Sequence, residues 1–139
     1  MGIFCNIALT LVFLGIAFVH IYWAFGGNWG KQAAVPTNSA GIPLFVPGFF
    51  SCFSVGTIFL FLSILINQKV FNFIPDNISN LLLLVASLAF LVRAIGDFNY
   101  VGFFKKVNNT IFSKKDNYYY SPLCLVIAVL IVVKLLIEY

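Results

Sequence analysis

Chemistry in this sequence has to begin with one histidine and one arginine, because both stand inside long apolar runs. His20 lies roughly 7–8 Å inside the end of its run at 1.5 Å per residue, and Arg93 is placed similarly near the end of another. Asp97 follows Arg93 by four residues, the helical spacing at which side chains meet, so an Arg93–Asp97 pair is expected. Histidine exchanges protons near neutral pH. Arginine grips a phosphate or carboxylate through a planar fork of donors, and an aspartate can orient either group. An ionisable residue in a span costs about 2.5–3.5 kcal/mol at mid-membrane on insertion scales and less near the end, which makes it a functional candidate by default. The structural alternative is an Arg93 that reaches towards the interface and pairs with Asp97, and a His20 bonded to a neighbouring backbone group.

Tyr22, Trp23, Trp29, Tyr100, Asp116 and the run Tyr118-Tyr119-Tyr120 fall near the same ends. An interfacial aromatic belt accounts for many of them, but not for their one-sidedness: apart from Tyr139, every Tyr and Trp sits there, and the segment Asn67 to Asn77 has none. The expected pocket therefore comprises His20, Tyr22, Trp23, Trp29, Arg93, Asp97, Asp116 and Tyr119. Tyr119 or Asp116 should close it, with the loop 26–46 lying over it as a binding segment, since that loop exceeds the usual connection length.

The elements that must position these residues are membrane spans. The 139 residues are 62% hydrophobic and only 9% charged, against roughly 25% charged in a soluble domain. A water-soluble domain is thereby excluded, and with 17 Phe and 6 Tyr so is a disordered chain. About 20 apolar residues are needed to cross the hydrocarbon, and four stretches qualify: about 3–25, 47–66, 78–95 and 121–137. They are too long, and too little alternating, for barrel strands. The expected fold is all-α, an integral membrane four-helix bundle forming a single transmembrane domain over 1–139, with Pro47 and Pro122 in first helical turns. The first span reads as a retained helix rather than a signal peptide, having no basic n-region and an overlong apolar run.

Four spans put loops 26–46 and 96–120 on one side, with both termini and loop 67–77 on the other. Lys31, Lys105, Lys106, Lys114, Lys115 and Arg93 belong to the first side, Lys69 and Lys134 to the second, a count of six against two. By the positive-inside rule both termini should be outside the cell (inner/plasma) membrane, and the polar end cytoplasmic. The same lysines flank apolar spans without any nucleic-acid-binding motif, so no nucleic-acid partner is expected.

Small residues mark where helices approach in lipid. Asn6, Thr10, Ala17, His20 and Ala24 share one face of the first span; Ala86, Ala89, Arg93 and Gly96 share one of the third, and Ser121, Cys124 and Ala128 one of the fourth. These faces should point inwards. Cys5, Cys52 and Cys124 form no CxxC and have no histidine at zinc-ligand spacing. With one histidine in the chain and no phosphate-binding or dinucleotide motif, no metal and no cofactor are expected; Gly26-Gly27-Asn28-Trp29-Gly30 reads as a sharp exit from the first helix.

The strings His20-Ile-Tyr-Trp-Ala-Phe-Gly-Gly-Asn-Trp-Gly30, Arg93-Ala-Ile-Gly-Asp-Phe-Asn-Tyr-Val-Gly-Phe-Phe-Lys105 and Asp116-Asn-Tyr-Tyr-Tyr-Ser-Pro-Leu-Cys124 resemble a family of small bacterial four-helix membrane proteins catalogued only as a domain of unknown function. The resemblance implies a four-helix membrane fold and a site built from those motifs, and brings no activity with it. Three function classes follow from the residues. The first is a membrane protein, whether or not an enzyme, that binds a lipid or small anionic metabolite in a pocket at its cytoplasmic end. The second is an accessory or immunity-type protein acting on a membrane-protein partner through its aromatic end. The third is a transporter or channel, which with four helices requires a homo-oligomer.

Overall fold

The computed structural model describes residues 2–138. Its long helices are α1 (Gly2–Ala24), α3 (Phe49–Ile66), α5 (Asp76–Ile95) and α7 (Ser121–Glu138). Short helices fill the connections: α2 (Lys31–Ala34), α4 (Gln68–Phe71) and α6 (Ile111–Lys115), the last running through a π-helical turn (Asp116–Tyr120) into α7. The described residues contain no strand beyond an isolated bridge between Thr37 and Pro43. Among the described residues, four helices are long and apolar enough to cross a membrane. The chain is an all-α integral membrane bundle.

Unbroken runs of Leu, Ile, Val and Phe make these helices, because in lipid each backbone N–H must find a partner within its own segment. Their ends are set by local chemistry. Pro47 lies outside α3, not in its first turn; Gly48 caps that helix in an extended conformation, its carbonyl accepting from the Cys52 N–H at 3.1 Å. Pro75 precedes α5, and its carbonyl accepts the N–H groups of Ile78 and Ser79, while Asp76 puts a negative charge at the positive end of the helix dipole.

Pro122 stands in the first turn of α7 as expected, but α7 is not a fresh start. The helical path begins at Ile111, so this proline lies inside a continuous segment rather than at its start. Its ring cannot donate and would strike the carbonyl four residues back. The preceding five residues relieve the conflict by widening into the π turn, in which Ser121 N–H bonds to the Asp116 carbonyl.

The bundle is two hairpins. Helix α1 packs along α3 and α5 along α7; the hairpins meet mainly where α1 faces α7, and less where α3 faces α5. At the first seam a Cβ on Gly56 would stand 2.8 Å from Ile21 Cγ1 and 3.3 Å from the Ala17 carbonyl oxygen, so only glycine permits this approach. Asn67 donates to Thr10 Oγ1 across that seam at 2.8 Å. At the second, Ser87 Oγ donates to the Ala128 carbonyl at 3.0 Å. The core is Leu9, Phe13, Leu62, Leu65, Ile66, Leu83, Ile127 and Ile131, with Phe13, Phe59 and Phe90 in mutual ring contact. Large apolar side chains such as Phe4, Phe18, Phe50, Val85 and Leu136 point outwards, as a lipid-facing surface requires.

The inward faces agree in part with the small-residue stripes. Ala17 and Ala24 of α1, and Ser121 and Ala128 of α7, are buried. In α5 the buried row is Ser79, Leu83, Ser87 and Ala94, while Ala89 is exposed. Ser87, rather than Ala89, stands at that helix's approach to α7, where its hydroxyl donates to the Ala128 carbonyl.

Candidate functional site

Asp116 is the electrostatic centre of the loop end of the bundle. It is fully buried. Its Oδ1 accepts from Arg93 Nη2 at 2.9 Å; its Oδ2 accepts from Lys105 Nζ at 2.9 Å and from the Gly102 N–H at 2.8 Å. Lys105 is as deeply buried and also donates to the Gly102 carbonyl at 2.8 Å and to Asn117 Oδ1. Two cations thus share one carboxylate. Burying these charges is costly, and multiple hydrogen bonds are what makes such burial tolerable.

The Arg93–Asp97 pair expected from helical spacing does not form. The helix ends before it: Gly96, at φ +90°, terminates α5, and Asp97 turns its Oδ1 onto the N–H groups of Asn99, Tyr100 and Val101 at 2.9, 2.7 and 2.9 Å. Slight burial raises the Asp97 pKa, but these backbone donors outweigh it and hold the carboxyl below its usual value. The turn is tight enough that a Cβ on Gly96 would collide with the Val101 carbonyl, and one on Gly102 with that of Ile95. Asp97 therefore shapes the turn that delivers the Gly102 N–H to Asp116.

Above Asp116 the two hairpins part into a cleft of about 430 Å³. His20 and Trp23 of α1, Arg93 of α5 and Tyr120 of the π turn supply its polar wall; Phe59, Phe90, Leu123 and Ile127 are part of the apolar one. His20 Nδ1 donates to the Ile16 carbonyl at 2.9 Å, which leaves Nε2 as the acceptor of the neutral ring. The same ring stacks on Phe59 at 6.2 Å and meets Trp23 edge-on at 5.0 Å. Arg93 is about a third exposed, and its Nη1 is shut off from water with no hydrogen-bond partner. Tyr120 Oη donates to the Ala33 carbonyl at 3.3 Å, tying α2 to the cleft, where Ala34 joins the lining.

Of the eight residues expected to form a pocket, His20, Trp23 and Arg93 line this cleft, and Asp116 supports Arg93. The other four stand elsewhere. Tyr22 covers Gly27, whose N–H bonds to the Tyr22 carbonyl at 2.9 Å. Trp29 gives only its carbonyl, to Trp23 Nε1 at 2.8 Å, and leaves its ring 77% exposed. Asp97 is spent on its own turn, and Tyr119 is 66% exposed. The π turn decides that it is Tyr120 that enters. Loop 26–46 contributes Ala34 to the lining.

The eight expected residues did not include Tyr120, Cys124, the Phe59–Phe90 wall or Lys105, although Tyr120, Cys124 and Lys105 stand in the motif strings and Cys124 on a face expected to point inwards. Pro122, two residues after Tyr120, was the available signal for a shifted helical register. For Lys105 the one signal is its place at the end of the second motif string.

The fold and this cleft define a small polytopic helical membrane protein with a polar-headed, apolar-walled cavity between its hairpins. The chain belongs to the family described as "Protein of unknown function (DUF3995)", which matches residues 13–131, from mid-α1 to late α7, and so spans every cleft residue. No curated protein and no solved structure is significantly similar to it.

Proposed function

We propose that this protein binds an anionic amphiphile, a lipid or a small anionic metabolite with an apolar part, in the cleft between its hairpins. The observation that carries this reading is Arg93 Nη1, a buried guanidinium nitrogen without a hydrogen-bond partner in the protein, on a side chain that lines the cleft. Leaving such a donor unmade costs about 1–3 kcal/mol, and more for a charged group. Because Arg93 and Lys105 share the single charge of Asp116, an incoming anion balances the remaining positive charge. His20 Nε2 accepts a proton-bearing group of the same ligand, and the apolar part lies along Phe59, Phe90 and Leu123. The volume falls within the roughly 300–1,000 Å³ of ligand pockets.

In this reading the polar end faces the cytoplasm, both termini lie outside, and the membrane is the inner or plasma membrane of a bacterial cell, on the strength of the six-to-two distribution of basic residues. A second reading, binding of a membrane-protein partner, draws on the exposed rings of Trp29, Tyr118 and Tyr119 at that same end.

Native mass spectrometry of the mildly extracted protein distinguishes the two. An anionic amphiphile held by the wild type and released by Arg93→Gln supports the first reading. A co-purifying protein, with no small ligand in either sample, supports the second and refutes the first.

A further inference from the structure

The cleft is not the only cavity with a defined chemistry. Gln32 of α2, the segment Thr37 to Pro43 after it, and Asn109 to Phe112 at the start of α6 enclose a groove of about 560 Å³. Its polar lining is Gln32, Thr37, Ser39, Asn109 and Thr110, and no Lys, Arg, Asp, Glu or His takes part. No residue lines both this groove and the cleft.

Both walls are fixed by their own hydrogen bonds. On one side Asn38 Oδ1 accepts the N–H groups of Ala40 and Ile42 at 3.0 and 2.9 Å. The Asn38 N–H bonds back to the Ile42 carbonyl at 2.9 Å, and Leu44 N–H to that of Pro36 at 2.9 Å, while Gly41 makes the reversal at φ +79°. On the other side Thr110 and Ser113 form a reciprocal cap at the start of α6, in which Thr110 Oγ1 accepts the Ser113 N–H at 3.1 Å and Ser113 Oγ accepts the Thr110 N–H at 3.0 Å. The helices α2 and α6 pack together and hold the two walls in place. A preformed groove binds without first ordering its loops, which removes a large part of the cost of association.

We propose that this groove is a binding site for a neutral, multiply hydroxylated molecule of sugar size. Amide and hydroxyl side chains both donate and accept, which is the complement of a ring of hydroxyl groups. A groove without a formal charge has no counter-ion for a phosphate, carboxylate or amine. Pro43 and Ile111 supply the apolar surface that the C–H face of a sugar requires. Thr37 is nine-tenths buried, and its Oγ1 has no partner in the protein. A ligand hydroxyl at Thr37 satisfies that group. The sugar comes either free in solution or as the uncharged headgroup of a glycolipid, since α2, which gives Gln32 to the groove, gives Ala34 to the cleft between the helices.

The test uses the full chain in phosphatidylcholine nanodiscs, prepared without glycoside detergents, whose headgroups would occupy the site. Saturation-transfer NMR follows D-glucose, D-galactose, maltose and myo-inositol in solution, and native mass spectrometry follows a glucosyl-diacylglycerol placed in the bilayer. The expected result is saturable binding of at least one probe, weakened tenfold or more by Asn109→Ala and by Thr37→Val and left unchanged by Arg93→Gln. Binding of a free sugar assigns the soluble source, and binding of the glycolipid alone assigns the headgroup. Asn109 is exposed, so its variant reads the site even if Thr37→Val does not fold. No saturable binding by any probe, binding indifferent to Asn109→Ala, or binding lost equally in Arg93→Gln overturns the proposal.

Discussion

Arg93 and Asp116, 23 positions apart in the chain, are joined by a 2.9 Å ion pair at the mouth of the interhelical cleft. The pair locks the end of α5 to the π turn that opens α7. The same carboxylate holds Lys105, so one side chain fixes three segments.

Asp116→Asn is therefore expected to be severely destabilising. It leaves the fully buried Lys105 and the partly buried Arg93 without a counter-charge, and breaking a buried pair in this way costs about 3–5 kcal/mol. Thermal unfolding in nanodiscs measures it. Adding Lys105→Met to the Asn variant should recover part of the loss, since the stranded charge is then gone. An unchanged melting temperature for Asp116→Asn alone would show that the carboxylate does not hold these segments together.

The turn at 96–102 should be sensitive to acid. Because the folded pKa of Asp97 is lowered, its contribution is complete above the ordinary aspartate range and is lost as the pH falls through the lowered value. Proteolytic nicking between residues 97 and 102 is expected to rise below about pH 4 in the wild type. In Asp97→Ala nicking should be high at every pH. Parallel pH profiles for the two proteins would contradict this role.

Sequence showed the spans plainly because apolar runs of about 20 residues have few alternatives in lipid. It also showed His20, Trp23 and Arg93 as a set, since ionisable and amphipathic residues near span ends stand out against such a background. What it did not show depended on helix phase and on loop geometry. Asp97 lies at the right spacing for Arg93, but the helix stops at Gly96 and the carboxylate finds three backbone donors nearby. Tyr119 and Tyr120 look alike in sequence; one π turn, placed by Pro122, chooses between them. Lys105 looked like a solvated loop charge because its partner Asp116 is eleven residues away across an irregular turn.

The orientation is open to direct labelling. In a background lacking Cys5, Cys52 and Cys124, single cysteines at Lys31 and Lys114 are expected to resist an impermeant thiol reagent in intact cells, and one at Asn72 to react. Labelling at position 114 from outside reverses the orientation. Opposite behaviour at 31 and 114 contradicts the even number of crossings between them.

The α1–α3 seam should reject added volume. Gly56→Leu places a side chain where Ile21 and the Ala17 carbonyl already stand. Overpacking of this kind costs typically 1–3 kcal/mol. A drop in melting temperature, larger than for a leucine at the exposed Ser54 on the same helix, is the expected reading; equal effects would remove the close approach as its cause.

Binding of an anionic amphiphile by variants that keep the fold decides whether Arg93 and the cleft hold a ligand. Arg93→Gln breaks the Asp116 ion pair but leaves that carboxylate with Lys105 and the Gly102 N–H, so it should melt below the wild type yet stay folded, and His20→Ala, which removes a ring whose one hydrogen bond is to its own helix, should melt close to the wild type. Titrating phosphatidylglycerol into phosphatidylcholine nanodiscs and counting bound lipid by native mass spectrometry gives an affinity for each. The wild type is expected to retain the anionic lipid saturably, with a weakening of tenfold or more in Arg93→Gln, as loss of a charged hydrogen bond of about 1.5–3 kcal/mol implies, and a smaller loss in His20→Ala. Equal retention of the anionic lipid by wild type and Arg93→Gln would contradict this expectation.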